Sequence, residues 1–273
     1  MDLVVFDLDG TLLNANSEIS AFTQETLQKL TQAGIAFTVA TGRTLHGAHA
    51  AVGKEVFILP QIIKNGVLVW NPNSDTYTRQ CLLTQDEISH VLLAFANAGV
   101  SPFVHTFEQG HHHGIYHAPA MHEYETKLAN FVERERGAAL LPLSAMPQQA
   151  PIANFSGLGS EHAINSIIEQ IATQPHLVAY GGPAFEGQNL YWLDVHHCEG
   201  NKGAAVIELK NELRAERVIC FGDSDNDLSM FAVADECYAP SNAKETIKQA
   251  ATAVIGHHDQ DGIAHKLRER YSL

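Results

Sequence analysis

Basic residues are scarce in this chain. It has 17 Lys and Arg against 31 Asp and Glu, a formal net charge of −14. A surface of that sign repels nucleic acid and anionic membrane, so neither is expected as a partner. It does not exclude a small anionic substrate, because a bound cation and a few Lys or Arg can reverse the field locally. Cysteine is also sparse: Cys81, Cys198, Cys220 and Cys237 form no Cys-x-x-Cys pair. Cys220 lies inside an apolar run and reads as a small core residue. Reduced thiols and a cytoplasmic protein are expected. No apolar run is long enough to span a membrane. The N-terminus enters a strand at once, with no basic start and apolar stretch of a signal peptide. Internal repeats are absent, as are low-complexity tracts beyond His111-His112-His113.

What is present suits a globular protein. The 273 residues are 45% hydrophobic, enough for one large or two ordinary domains with a core. The opening stretch, Val4-Val5-Phe6-Asp7-Leu8-Asp9-Gly10-Thr11, begins as a short buried strand. It ends in two carboxylates at i and i+2, which strand alternation puts on roughly the same side. Two like charges so close need compensation, and a divalent cation such as Mg²⁺ suits hard carboxylate oxygens. Gly10 lets the backbone turn away from the strand end. In open parallel sheets, that carboxyl edge is where ligands bind.

The next elements repeat the plan. A helix is expected over 17–34, closed by Gly34. A buried strand over 35–40 follows and ends in Thr41-Gly42-Arg43, which offers a hydroxyl, a flexible amide and a planar cation. Those groups suit phosphate oxygens, although a turn with a solvated Arg would read the same way. A third strand within 56–64 ends in Lys64-Asn65-Gly66, a strong turn signal. Strands over 67–70 and 76–82 could form a hairpin.

From about residue 82 the character changes. Thr84-Gln85-Asp86-Glu87 fits a capping box opening a helix through Ala98. Strands are expected over 102–107, 152–158, 176–180 and 189–195, helices over 121–136 and 161–173, and a loop over 142–151. Strands with helices packed on one side indicate an α+β insert. Within it, Trp192 and Tyr191 could stack on a ring but could equally be core. Asn154 and His196 are further candidates, and the three histidines suit an exposed loop better than a metal site.

The parallel pattern then resumes. Asn201-Lys202-Gly203 precedes a helix over 204–213. A buried strand over 217–221 ends in Gly222-Asp223-Ser224-Asp225-Asn226-Asp227, with Asn226 or Asp225 as cap for a helix over 227–234. Ser241 or Asn242 would cap another over 243–251. Four strand-edge motifs thus belong to one sheet: Asp7/Asp9, Thr41, Lys202 and Asp223/Asp227. Together they supply a carboxylate nucleophile, a second acid, a phosphate-binding hydroxyl, an ammonium and metal-binding carboxylates. That is a phosphoryl-transfer site.

In this order, the set resembles the haloacid dehalogenase-like superfamily of aspartate-nucleophile phosphatases. The insert resembles a subclass IIB cap, and the chain is similar to the Cof-type hydrolases. The matching segments are Asp-Leu-Asp-Gly-Thr-Leu-Leu, Thr-Gly-Arg, Asn-Gly, Asn-Lys-Gly-Ala, Gly-Asp-Ser-x-Asn-Asp and Asp-Gly-Ile-Ala at 261–264. The resemblance implies an α/β fold: a Rossmann-like doubly wound parallel sheet, residues 1–81 and 196–273, with an inserted cap over 82–195. It implies Asp7 as nucleophile, Asp9 as acid and base, and Lys202 as the neutralising ammonium. Asp7, Asp223, Asp227 and the Asp9 carbonyl would bind Mg²⁺. Thr41, Gly42 and Asn226 would hold the phosphate, Arg43 and Asn65 would face the leaving group, and the cap would exclude water. Asp225 would be a solvated acid. The expected activity is Mg²⁺-dependent hydrolysis of a small phosphorylated metabolite: a sugar phosphate, or a nucleotide or cofactor phosphate. A sugar phosphomutase or a non-catalytic phosphate binder are the alternatives.

Overall fold

The computed structural model describes residues 1–108, 113–118, 125–126, 140–184 and 189–273. Two compact units are formed, Met1–Arg79 with Asn201–Leu273, and Gln80–Gly200. The chain runs through β1 (Asp2–Phe6), α1 (Ala21–Gln32), β2 (Ala36–Val39), α2 (Leu45–Val52), β3 (Gln61–Ile63), β4 (Leu68–Asn71) and β5 (Thr76–Gln80). The second unit holds α3 (Gln85–Ala98), β6 (Phe103–Thr106), β7 (Ile115–His117), β8 (Leu140–Pro142), β9 (Ile152–Ser160), α4 (Glu161–Ile171), β10 (Leu177–Pro183) and β11 (Leu190–His197). The return adds α5 (Lys202–Leu213), β12 (Arg217–Phe221), α6 (Leu228–Phe231), β13 (Glu236–Pro240), α7 (Glu245–Ala250), β14 (Ala253–Ile255) and α8 (Gly262–Tyr271).

In the first unit the strand order is β14-β13-β12-β1-β2, all parallel. β1 is buried on both faces, as its continuous apolar run requires. Val4 and Phe6 pack with Leu27 and Leu30 of α1 and Ile263 and Leu267 of α8. Leu3 and Val5 point the other way, toward Ala205, Val206 and Leu209 of α5 and Ile247 of α7. Helices therefore cover both faces, the doubly wound arrangement. A bridge from Ala40 to Ile62 adds the small β3-β4-β5 sheet. Both Cys220 and Cys237 lie buried in the α5-side core.

The second unit is a six-stranded sheet, β10-β11-β9-β6-β7-β8. Its pairs are antiparallel except β7 with β8. Val91 and Phe95 of α3 and Ile164, Ile167 and Ile171 of α4 pack with Phe155, Leu193 and Val195 of the sheet. This is an α+β layer.

Local differences from the sequence reading have local causes. The first helix begins at Ala21, not Ser17, because Ser20 accepts the Thr23 N–H as N-cap and Ser17 is left-handed at φ 60°. β8 takes up the start of the stretch expected as loop. The helix expected over 121–136 lies outside the described residues except at 125–126. The capping box at Thr84 and Glu87 forms as its spacing indicates. Among the described residues no helix is long and apolar enough to cross a membrane.

Gly203 lets α5 press against α6: its N–H donates to Ser229 Oγ at 3.1 Å, and a Cβ there would come within 2.1 Å of the Ser229 carbonyl oxygen. Gly203→Ala is therefore expected to lower stability by about 1–3 kcal/mol, the usual cost of overpacking. Urea unfolding monitored by circular dichroism measures it, and an unchanged midpoint would show that the two helices separate freely.

Candidate active site

The site starts from a register. Phe6 of β1 stands beside Phe221 of β12, so both chains leave the sheet at the same level. Asp7 is one residue past that edge and Asp223 two residues past it. The Asp7 N–H still donates to the Phe221 carbonyl at 2.9 Å, which pins its backbone. The chain then winds through a wide turn in which Leu12 and Leu13 N–H reach back to the Asp7 and Leu8 carbonyls. Gly10 permits the turn with φ +74°, and a Cβ there would lie 2.7 Å from Asp223 Oδ2. Thr11 Oγ1 donates to Asp223 Oδ1 at 3.0 Å, and Ser224 Oγ to Asp223 Oδ2 at 2.9 Å.

Lys202 enters from the first position of α5, whose N-cap Asn201 accepts the Ala204 N–H at 2.8 Å. Its ammonium has no solvent exposure and donates to Asp7 Oδ1 and Asp227 Oδ1, each at 2.6 Å. Asp227 is tied further: its Oδ2 accepts the N–H of Asp223 at 2.8 Å and of Ser224 at 3.0 Å. Neither Asn226 nor Asp225 caps this turn, contrary to the sequence reading; Asp227 folds back on it. Asp225 is partly exposed and pairs with Lys244 at 2.7 Å and Thr246 at 3.1 Å.

Carboxylate oxygens of Asp7, Asp223 and Asp227 all lie within 4.8 Å of one another. Three carboxylates around one ammonium leave two negative charges in excess. The protonation equilibria register this excess. Burial, then Asp227 and Asp223, push Asp7 well above the usual carboxylate range, against the pull of Lys202. Burial and Asp227 raise Asp223. Lys202 is held charged: burial opposes this, but Asp227 and Asp7 outweigh it. A cluster of hard oxygens short of positive charge is the donor set that a divalent cation such as Mg²⁺ fits.

The remaining motif residues gather nearby. Thr41 is buried past β2, with its N–H on the Ile62 carbonyl at 2.9 Å. Its Oγ1 accepts the Arg43 N–H at 3.1 Å. Asn65 adopts the left-handed conformation at φ 56° and donates its N–H to the Thr41 carbonyl at 2.9 Å. Its Oδ1 accepts from Asn226 Nδ2 at 2.9 Å, and a Cβ on Gly42 would lie 3.1 Å from that oxygen. Thr41, Gly42, Asn65 and Asn226 thus form one polar group. Arg43 does something the sequence did not suggest. Its Nε and Nη2 donate to Asp9 Oδ2 and Oδ1 at 2.7 and 2.5 Å, a two-pronged grip, and Nη1 reaches the Gly47 carbonyl at 3.2 Å. Asp9's carboxylate therefore turns to Arg43 and stands apart from the Asp7, Asp223 and Asp227 cluster.

Residues 4–267 match the family model of the haloacid dehalogenase-like hydrolases. The chain belongs to that family. It is 25% identical over 280 residues to the 5-amino-6-(5-phospho-D-ribitylamino)uracil phosphatase YitU of Bacillus subtilis, across 99% of this chain and 98% of that one. It is 24% identical over 274 residues to the pyridoxal phosphate phosphatase YbhA of Escherichia coli, across 96% of each. A solved haloacid dehalogenase-like sugar phosphatase of subclass IIB shares its fold, with a TM-score of 0.77 at 19% identity, over 100% of this chain and 99% of that one. This member of the haloacid dehalogenase-like hydrolases is a phosphatase, with a parallel-sheet core and a separate sheet-bearing cap.

In the second unit of this hydrolase the candidate residues scatter. Tyr191 packs against the helix-covered core of that unit, whereas Trp192 is 38% exposed. Asn154 Nδ2 donates to Asp194 Oδ1, and buried His196 meets the His197 carbonyl through Nδ1 at 2.9 Å. His111 and His112 lie outside the described residues, and His113 sits 5.5 Å from the Phe107 ring. Motif reading passed over Thr11 and Ser224, which orient Asp223. Their signal is a hydroxyl next to, or two residues beyond, a strand-end acid.

Lys202 links two buried carboxylates, so removing it strands both. Lys202→Met is expected to cost about 3–5 kcal/mol in metal-free buffer, the range for breaking a buried ion pair from one side. Equilibrium unfolding in the presence of EDTA measures it. A loss below about 1 kcal/mol would mean that Asp7 and Asp227 find other compensation.

Proposed function

We propose that this phosphatase hydrolyses a small phosphorylated metabolite in a Mg²⁺-dependent reaction that passes through an aspartyl-phosphate on Asp7. The observation that carries the reading is the buried Lys202 ammonium bridging Asp7 and Asp227 within a cluster of three carboxylates at the sheet edge. Lys202 takes one oxygen of Asp7 and so orients the other toward an incoming phosphorus. Attack by Asp7 forms the acyl-phosphate bond as the bond from phosphorus to the alcohol oxygen breaks. For this step Asp9 must carry a proton on an oxygen released from Arg43, and it passes that proton to the departing oxygen. Asp9 then takes a proton from water, whose oxygen attacks phosphorus, releasing phosphate and the free Asp7 carboxylate.

The Thr41 hydroxyl and the Gly42 amide are assigned to the phosphate oxygens, with Asn226 reaching them and Asn65 holding Asn226. Asp7, Asp223, Asp227 and the Asp9 carbonyl would hold the Mg²⁺. Asp227 serves mainly as an anchor, since both of its oxygens are engaged by Lys202 and backbone N–H groups. Bound there, the cation would supply charge stabilisation to the transferring phosphoryl group and offset the excess negative charge. Arg43 sets the direction of the Asp9 carboxylate through its two-pronged hydrogen bond. The relatives named for a phosphoribityl pyrimidine and for pyridoxal phosphate support a sugar phosphate, or a nucleotide or cofactor phosphate, as the substrate class.

The deciding experiment is phosphate release from a panel of metabolite phosphates, with Mg²⁺ or EDTA. Wild type should turn over only with Mg²⁺, and Asp7→Asn should lose at least about a thousandfold, as nucleophile removal does elsewhere. Turnover that survives Asp7→Asn would sink the nucleophile assignment. Separately, Mg²⁺ should raise the thermal midpoint of the wild type by binding the folded state alone. Asp223→Asn should lose that rise; an equal rise in the variant would remove Asp223 from the metal site.

A further inference from the structure

The turn that carries Asp9 is held by residues that lie far away in sequence. Asn242, in the loop after β13, donates from Nδ2 to the Gly10 carbonyl at 2.8 Å. Its Oδ1 accepts the backbone N–H of His258 at 3.1 Å. The ring of the same His258 donates from Nδ1 to the Leu13 carbonyl at 2.7 Å. Next to it, Asp259 Oδ1 accepts the Ala15 N–H at 2.9 Å. Three neighbouring points, Gly10, Leu13 and Ala15, are thus pinned from two loops at the same end of the sheet.

The carboxamide orientation follows from its partners. Exchanging oxygen and nitrogen would set Oδ1 against a carbonyl and N–H₂ against an N–H. Sequence pattern offered Asn242, or Ser241, as a cap for the following helix. Instead α7 starts after Lys244 with no side-chain cap, and the Asn242 side chain crosses to the Asp9 turn. The restraint has a physical purpose. Gly10 adopts φ +74° and has wide conformational freedom. A flexible residue directly after Asp9 lets its carboxylate wander unless something outside the turn fixes the peptide. Arg43 fixes the carboxylate, but it cannot fix the backbone behind it.

We propose that Asn242 is a positioning residue for Asp9: it clamps the Gly10 peptide, with His258 completing the clamp, so that the acid–base group meets the leaving oxygen. This inference rests on the assignment of Asp9 given under the proposed function. Asn242 touches neither the carboxylate cluster nor Lys202, but the Asp9 carbonyl assigned to Mg²⁺ lies in the clamped turn, so each variant is compared with wild type at saturating Mg²⁺.

The test uses the full chain with Asn242→Ala and the isosteric Asn242→Asp, which keeps an acceptor for His258 but has no donor for Gly10. Hydrogen exchange of amides 9–13, without metal or substrate, should speed up about tenfold or more in both variants. Unchanged exchange overturns the clamp. Single-turnover cleavage with Mg²⁺ then compares glycerol phosphate, whose alkoxide needs a proton to depart, with p-nitrophenyl phosphate, whose leaving group does not. On the alkyl ester the maximal rate should fall about tenfold or more with KM within about twofold, while the first release of p-nitrophenolate stays near wild type. Equal losses on both esters, a loss confined to KM, or a wild-type ratio in Asn242→Asp overturns the positioning role. A wild type inactive on both esters and on every member of the metabolite-phosphate panel overturns the proposed hydrolysis, and with it the positioning role. The exchange rates still decide the clamp.

Discussion

One buried ammonium organises the site. Lys202 carries its charge into a place with no solvent exposure and holds two carboxylates there at 2.6 Å. A lysine so buried is stable only because its desolvation is offset by those partners. The dependence runs both ways, since Asp7 and Asp227 are buried as well and Lys202 is the cation that pairs with both. Helix α5 must therefore begin where it does, with Asn201 as cap and Gly203 close against α6, to bring that ammonium to the sheet edge. The ammonium is nevertheless one charge among three carboxylates, and that shortfall is what the proposed divalent cation would offset.

Around that triad the structure separates tasks among carboxylates that look alike in sequence. Asp7 faces Lys202 with one oxygen. Asp227 is consumed by Lys202 and two backbone N–H groups, and it shapes the loop that presents Asp223. The hydroxyls of Thr11 and Ser224 orient Asp223. Asp9 points away to Arg43, and Asp225 leaves the site for Lys244. Two residues of separation past the strand end, where the chain enters the wide turn, are enough to send one carboxylate into a buried cluster and the next into a half-exposed salt bridge. Different chemistry follows from identical side chains because burial and partners differ.

Much of this was legible beforehand. The apolar runs at 3–6 and 218–221 are long enough only for buried strands, and each leads into acids that no core would tolerate unpaired. Those two facts together require a sheet edge with charge compensation. The Asn201-Lys202-Gly203 start of a helix was also readable, because cap, cation and small residue stand side by side. The Asp9–Arg43 pair was not. It joins residues 34 positions apart that meet because β1 and β2 are neighbours in register, with Phe6 beside Val39. Asn242 was misread for a related reason. A local cap is the default for an Asn before a helix, and only the approach of the Gly10 and His258 peptides gives its side chain a better use.

The sequence by itself determined the strand-then-acid pattern, a parallel pattern interrupted by an α+β insert, and the list of residues able to do phosphoryl chemistry. These are written in local periodicity and side-chain type, which do not depend on what folds against them. Tertiary structure alone decided which carboxylate faces the ammonium, which faces the guanidinium and which loop braces the turn at Gly10. Those choices depend on register between strands and on distances of 2.5 to 3.1 Å between groups as much as 245 residues apart. Hydrogen bonds and ion pairs act only at that range, and no local pattern along the chain encodes it.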